Sequence, residues 1–568
     1  MEETETAARA TQREKERERE RERREREERE RERERRERED YTRRDETRRD
    51  RMAPSSLSLC WEGSQNQLKK ILGEFWSNVR PGGRLHPAWF FEAKGHLLVE
   101  LLLFAVILFL LTRKSFKPSK QKPLTKKEQE ELIEEWLPEP LVPEVYAGQA
   151  PENGRLRNRR NKTKLQQRYA PAPVVKGKAC TPFVQIGNKK VMNLVSTNFL
   201  NLASSERIEA SCERALNKYG CGSCGPRGFY GTIDVHLELE KRVASFLGTE
   251  EAILYSYDIS TPASAIPAFC KSGDLIVADA GISYAIQSGL TLSRSTVKYF
   301  EHNNLKDLVA VLDAVEEESK KGGKKGVGKF ERRFVVVEGL YANYGDLAPL
   351  PDIVKLKDKY QFRLIVDESF ALGVLGAGGR GSVEHFGLSR GVVDITLASL
   401  GNAIGSVGGI CAGSRRVCDH QRLSGAGYVF SASLPPYLAV AAIEAIDILE
   451  EEGKELAKGL ASKVLTFRQY LEAQVGSDVD LGGHPSAPII HLYIRTQQQE
   501  MSDVEYVDLL QKVVDGALKE GVFLTLAKYS FLDKYPGKPS IRMAINVDHT
   551  EEELRKAAKV ITQQINKI

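Results

Sequence analysis

Between residues 252 and 400, short and nearly all-apolar runs alternate with stretches of helical periodicity. The runs fall at 252–257, 274–279, 297–300, 334–341, 363–369 and 395–400. Strands apolar on both sides need cover on both faces, so the pattern predicts a mostly parallel sheet with helices above and below it. After Pro435-Pro436 the pattern changes. A long helix is expected to about residue 474, then a strand at 489–494, a helix near 504–518, strands at 522–526 and 540–545, and a final helix from His549. This reads as a second, α+β domain.

Upstream the pattern is different. Residues 96–112 hold eleven uninterrupted apolar positions, at the lower limit for a bilayer span, with Glu100 near one end. Arg113, Lys114, Lys117, Lys120 and Lys122 follow at once, so the positive-inside rule puts everything after the span in the cytosol. Residues 68–79 carry Leu68, Ile71, Leu72, Phe75, Trp76 and Val79 on one helical face, which suits a membrane surface or a packed core. The expected division is a low-complexity tail at 1–51, an amphipathic membrane-proximal segment at 52–95, a transmembrane helix at 96–112, a linker at 113–165, a large domain at 166–434 and a small domain at 435–568.

Composition changes this picture in two places. The net charge of +5 conceals the Arg/Glu run at 1–51, where alternating signs cancel and argue against nucleic-acid binding. The eight cysteines include one close pair, Cys221 and Cys224, with no second pair or histidine at ligand spacing. No metal site is expected, and the thiols read as reduced. The stretch GGKKGVGK at 322–329 lacks the Lys-Ser or Lys-Thr ending of a phosphate loop and reads as a surface insertion.

Candidate chemistry centres on residues 394–414, DITLASLGNAIGSVGGICAGS, a strand, a glycine-rich turn and a return strand. Alone, Gly401-Asn402 is an ordinary turn dipeptide. The stretch YGCGSCGPRGFYGTIDVHLELE at 219–240, with TRKSFKP, EEWLPEPL and RLSGAGYVFSASLPPYLA elsewhere, gives it another meaning. These motifs resemble the long-chain-base subunit 1 family of serine palmitoyltransferase, the plant form most of all, within the α-oxoamine synthases that use pyridoxal phosphate. The resemblance runs from the membrane segment to the C-terminus and omits residues 1–51.

The resemblance implies the fold type I pyridoxal-phosphate transferase architecture, an α/β large domain plus an α+β small domain behind a transmembrane helix. It puts Asn402 at the Schiff-base lysine position, where an amide cannot form the imine. Asp367 takes the position that pairs with the pyridinium nitrogen, His236 that of the imidazole stacked on the cofactor, and Ser399 that of the hydroxyl before the lysine. Phe370 and Ala342 stand where catalytic relatives have histidine and serine. Cys224, Arg227 and Tyr230 are implied at the border of a partner's active site. The expected function is the subunit without the lysine: pyridoxal phosphate is held by the lysine of a long-chain-base subunit 2, and the pair condenses L-serine with palmitoyl-CoA to 3-ketosphinganine. Further implied partners are a small activating subunit and ORM-type regulators. The expected location is the endoplasmic reticulum membrane, single-pass, with the synthase-like domain cytosolic. The isolated chain is expected to be inactive; the alternative is a membrane-bound scaffold contributing nothing to the active site.

Overall fold

The computed structural model describes residues 102–109, 173–321, 330–495, 501, 503–529 and 533–567. The expected tail at 1–51, the amphipathic segment at 52–95, the linker at 113–165 and the insertion at 322–329 lie outside them. The chain divides into a unit ending at Pro138 and a unit beginning at Glu139. In the first, residues 102–109 are helical with exposed side chains. The rest of the expected 96–112 span lies outside the described residues, among which no helix is long and apolar enough to cross a membrane.

The second unit opens with β1 (Val175–Lys176), β2 (Phe183–Ile186) and β3 (Lys189–Asn193), paired antiparallel in order. Helices α1 (Glu206–Tyr219) and α2 (Asp234–Leu247) follow. Alternation then sets in: β4 (Glu251–Tyr255), α3 (Ser260–Phe269), β5 (Leu275–Asp279), α4 (Tyr284–Ser293), β6 (Thr296–Phe300), α5 (Leu305–Lys321), β7 (Arg333–Glu338), α6 (Leu350–Tyr360) and β8 (Arg363–Asp367). β9 (Ile395–Ser399) and β10 (Gly409–Gly413) complete a seven-stranded sheet of order β4-β10-β9-β8-β7-β5-β6. β10 alone runs against its neighbours, because a short turn joins it to β9 whereas parallel neighbours need a crossover.

Side chains alternate across a strand, so a sheet covered on both sides feeds two cores. In β4, Ala252 and Leu254 join one buried cluster while Ile253 and Tyr255 join the other. The first cluster also takes the inner face of the long helix α8 (Pro436–Val475), which follows α7 (Arg415–Ser424) and begins with the proline suited to a first helical turn.

The remaining elements are β11 (Val479–Gly482), β12 (Ile489–Ile494), α9 (Asp503–Lys519), β13 (Val522–Phe523), β14 (Thr525–Leu526), β15 (Ile541–Ala544) and α10 (Glu551–Ile565). A capping box starts α10: the Thr550 hydroxyl accepts from the Glu553 N–H, and the Glu553 carboxylate accepts from the Thr550 N–H. One expectation needs correction. Residues 522–526 are not one strand, since β13 pairs parallel with β3 whereas β14 pairs with β15 in the β11-β12-β15-β14 sheet. Val522, Leu524 and Leu526 stay buried across the change of sheet, so pattern alone could not show the change of partner.

Candidate functional site

Open α/β sheets bind ligands at the carboxyl ends of their strands. Here β7 ends in Glu338 and β8 in Asp367, side by side in register and almost wholly buried. The Glu338 carboxylate accepts the N–H groups of Ser283, beyond β5, and of Ala342. Asp367 Oδ1 accepts the Ser369 N–H at 2.7 Å. Burial raises both carboxyls above their ordinary range, and Asp367 raises Glu338 further. Glu368 is buried behind them, accepting the Ser382 N–H at 2.9 Å and hydroxyl at 2.8 Å, with Arg390 Nη1 at 3.7 Å.

The turn between β9 and β10 carries Asn402, whose side chain is hydrogen-bonded at both its nitrogen and its oxygen. Its Nδ2 donates to the Ser369 carbonyl at 2.7 Å, and its Oδ1 accepts from the Thr197 hydroxyl at 2.8 Å. Ser399 Oγ accepts the Gly401 N–H at 2.9 Å and donates to Asp258 Oδ2 at 3.3 Å. The turn lies hard against the chain before α1: Gly405 has φ +71°, and a Cβ there would stand 2.4 Å from the Ala203 nitrogen. Phe370 presses against the hydrophobic core, and Ala342 offers no side-chain hydrogen bond.

A second polar knot flanks this edge. His302 Nδ1 lies 2.8 Å from Asp279 Oδ1 and its Nε2 lies 3.0 Å from Asp346 Oδ2, while Tyr344 stacks on the ring at 3.9 Å. Burial alone would lower this imidazole, but the bonds to Asp279 and Asp346 outweigh it and push it up to about 9. The knot ties the loop after β7, which includes Ala342, to the ends of β5 and β6.

His236 is not brought to this cluster. It is wholly buried, its Nδ1 accepts the Ile233 N–H at 3.1 Å, and its Nε2 therefore donates to the Leu434 carbonyl at 2.6 Å. Burial lowers its pKa, so the neutral ring latches the start of α2 to the chain before α8.

Cys224, Arg227 and Tyr230 share one loop but do different things. Arg227 points inward, paired with Glu240 at 2.8 and 3.0 Å, and Glu240 also accepts the Leu254 N–H at 2.9 Å. Cys224 and Tyr230 are exposed with φ of 57° and 67°, conformations that L-residues adopt at a cost. Gly231 allows the loop to double back, since a Cβ there would lie 1.9 Å from the Gly225 carbonyl oxygen. Tyr230 is 102% exposed, Phe229 58% and Phe430 80%, an unusual outlay of aromatic surface. Sequence reasoning passed over Thr197, Asp258 and Ser283. Of these only Asp258, just before the Ser-Thr-Pro opening of α3, carried a local signal.

A mixed sheet sandwiched by helices, with an aspartate ending one strand and a glycine-rich turn after the next, is the architecture of the fold type I pyridoxal-phosphate transferases. The family model for aminotransferase class I and II matches residues 189–561. Long chain base biosynthesis protein 1b of Oryza sativa subsp. japonica is 46% identical over 82% of this chain and 90% of its own length. Serine palmitoyltransferase 1 of Dictyostelium discoideum is 43% identical over 82% of this chain and 93% of its own. A solved SPT structure with a PLP internal aldimine superposes with a TM-score of 0.61, at 25% identity, covering 70% of this chain and 92% of that one. The chain belongs to the serine palmitoyltransferase subunit 1 (long chain base biosynthesis protein 1) family.

Pyridoxal phosphate, the cofactor of this fold, carries a pyridinium nitrogen with which a buried strand-end carboxylate such as Asp367 would pair. It does not suit the rest. Asn402 supplies no amine and its amide is spent on Thr197 and Ser369; Phe370 and Ala342 supply no polar contact; Asp258 adds a negative charge close enough to raise Asp367. The residues of this chain do not make a complete site for that cofactor.

Proposed function

We propose that this chain is the lysine-lacking subunit of a serine palmitoyltransferase, pairing with a lysine-bearing subunit to condense L-serine with palmitoyl-CoA to 3-ketosphinganine, carbon dioxide and CoA. The observation that carries this reading is Asn402, an amide held by two hydrogen bonds where the fold requires an amine. The family relationship supplies the reaction. In the pair, pyridoxal phosphate is held by the partner subunit's lysine and supplies the electron sink for the serine carbon. This chain contributes a surface: the loop bearing Cys224 and Tyr230 turns its aromatic side chains outward, anchored from beneath by Arg227 and Glu240.

The reading extends to an endoplasmic reticulum membrane protein, anchored by one span at 96–112 with the synthase-like domain in the cytosol, where acyl-CoA is available. It includes the division into a large domain at 166–434 and a small one at 435–568, and association with a small activating subunit and ORM-type regulators. The test is product formation from labelled serine by the chain alone, by its partner alone and by the two co-expressed. Full activity is expected only from the pair. A borohydride-reducible, stoichiometric pyridoxal adduct on the lone chain would overturn the reading.

A further inference from the structure

The head of α3 lies beside the turn that carries Asn402. Gly409 of β10 permits this approach, since a Cβ there would stand 2.1 Å from Thr261 Oγ1. A helix N-terminus at the carboxyl edge of a sheet offers unsatisfied N–H groups and a partial positive charge, the usual means of holding a phosphate. Here two of the N–H groups at this end, those of Ile259 and Thr261, are taken within the chain. Asp258 Oδ1 accepts the Ile259 N–H at 2.7 Å, and the Asp258 carbonyl accepts the Thr261 N–H at 3.0 Å. The hydroxyls of Ser260 and Thr261 turn back to the Tyr257 carbonyl at 2.7 and 3.1 Å. From the end of β9, the Ser399 hydroxyl donates to Asp258 Oδ2. That oxygen lies against the turn itself, 3.7 Å from where a Cβ on Gly401 would be.

We propose that Asp258, though solvent-exposed, is an anion supplied by the chain itself at the place a cofactor phosphate would take at the head of α3, held toward the turn by Ser399, so that this chain keeps the fold without holding pyridoxal phosphate. The carboxylate accepts the Ile259 N–H just before the helix and supplies the negative charge that the helix dipole favours. A phosphate brought to the same point would meet Asp258 directly and Asp367 nearby, and like charges at such distances repel. The proposal rests on reading the chain as the lysine-lacking half and adds a cause independent of position 402, because an amine restored there would still leave the anion position filled.

The test uses the purified pair, titrated with pyridoxal phosphate by equilibrium dialysis, with inorganic phosphate as competitor. The wild-type pair should bind one cofactor. Asp258→Gly, which opens the helix start, and Asp258→Asn, which keeps the hydrogen bonds but removes the charge, should each reveal a second site. Its affinity should exceed any residual second binding by the wild type by about tenfold or more, and inorganic phosphate should displace it. Two cofactors bound per wild-type pair would overturn the proposal, as would both variants remaining at one up to millimolar ligand. The parent reading fails on a different observation, synthase activity from this chain without its partner.

Discussion

Asn402 does structural work. Its amide bridges Thr197, before the first helix, and Ser369, after β8, so it braces two segments that a lysine would leave unlinked. Removing it in Asn402→Ala should lower stability by about 1–3 kcal/mol, the cost of leaving half-buried partners unsatisfied, measurable by urea denaturation of the second unit. Asn402→Lys should lose the same brace and gain no synthase activity beside a partner lacking its own lysine; near wild-type product formation would refute this. Arg227 invites a sharper test, for truncating one member of a buried ion pair strands the other. Arg227→Ala should cost about 3–5 kcal/mol, and Arg227→Met with Glu240→Leu distinctly less, read from paired denaturation midpoints. Tyr230 carries strain without burial. Tyr230→Gly should therefore stabilise the lone chain by about 1 kcal/mol while weakening co-purification with the partner, a split that a merely structural residue would not give. The strand and glycine-rich turn around Asn402 were legible because they are local text. Its partners were not, since Thr197 is 205 residues away and the Ser399 to Asp258 contact spans 141. His236 shows the converse: a motif identifies the residue, but only the fold shows both nitrogens committed to main chain.

At the level of elements, apolar runs located six strands of the large sheet within a few residues, because strands covered on both faces are mostly apolar along their length. The same rule hides direction and partner, which is why residues 522–526 read as one strand. Loops are harder still, and the knot at His302 shows what they contain. Its folded pKa of about 9 lies above the ordinary histidine value near 6.5. Its contribution, on the order of 3 kcal/mol, is thus fully present below about pH 6.5 and is lost as pH rises through about 9. The groups facing the ring are Asp279, Asp346, Tyr341 and Tyr344. His302→Gln should flatten the fall in melting temperature between pH 7 and 9.5, whereas an unaltered slope would assign that fall elsewhere. Because the knot anchors the loop bearing Ala342, hydrogen exchange in 339–347 should rise in the same variant.

For the whole molecule, the topology expected from the basic cluster after residue 112 has a direct check. Protease added to sealed endoplasmic reticulum vesicles should digest the chain beyond residue 166, and full protection would reverse the orientation. One feature of the fold bears on how such a chain is made. β3 finds its parallel neighbour β13 roughly 330 residues further along. At about 5–20 residues per second of synthesis, an edge strand made early waits from a quarter of a minute to a minute before the segment that covers it leaves the ribosome. The first strands are thus a nascent-chain hazard, and ribosome-bound intermediates ending before residue 520 should engage chaperones that the finished protein no longer needs.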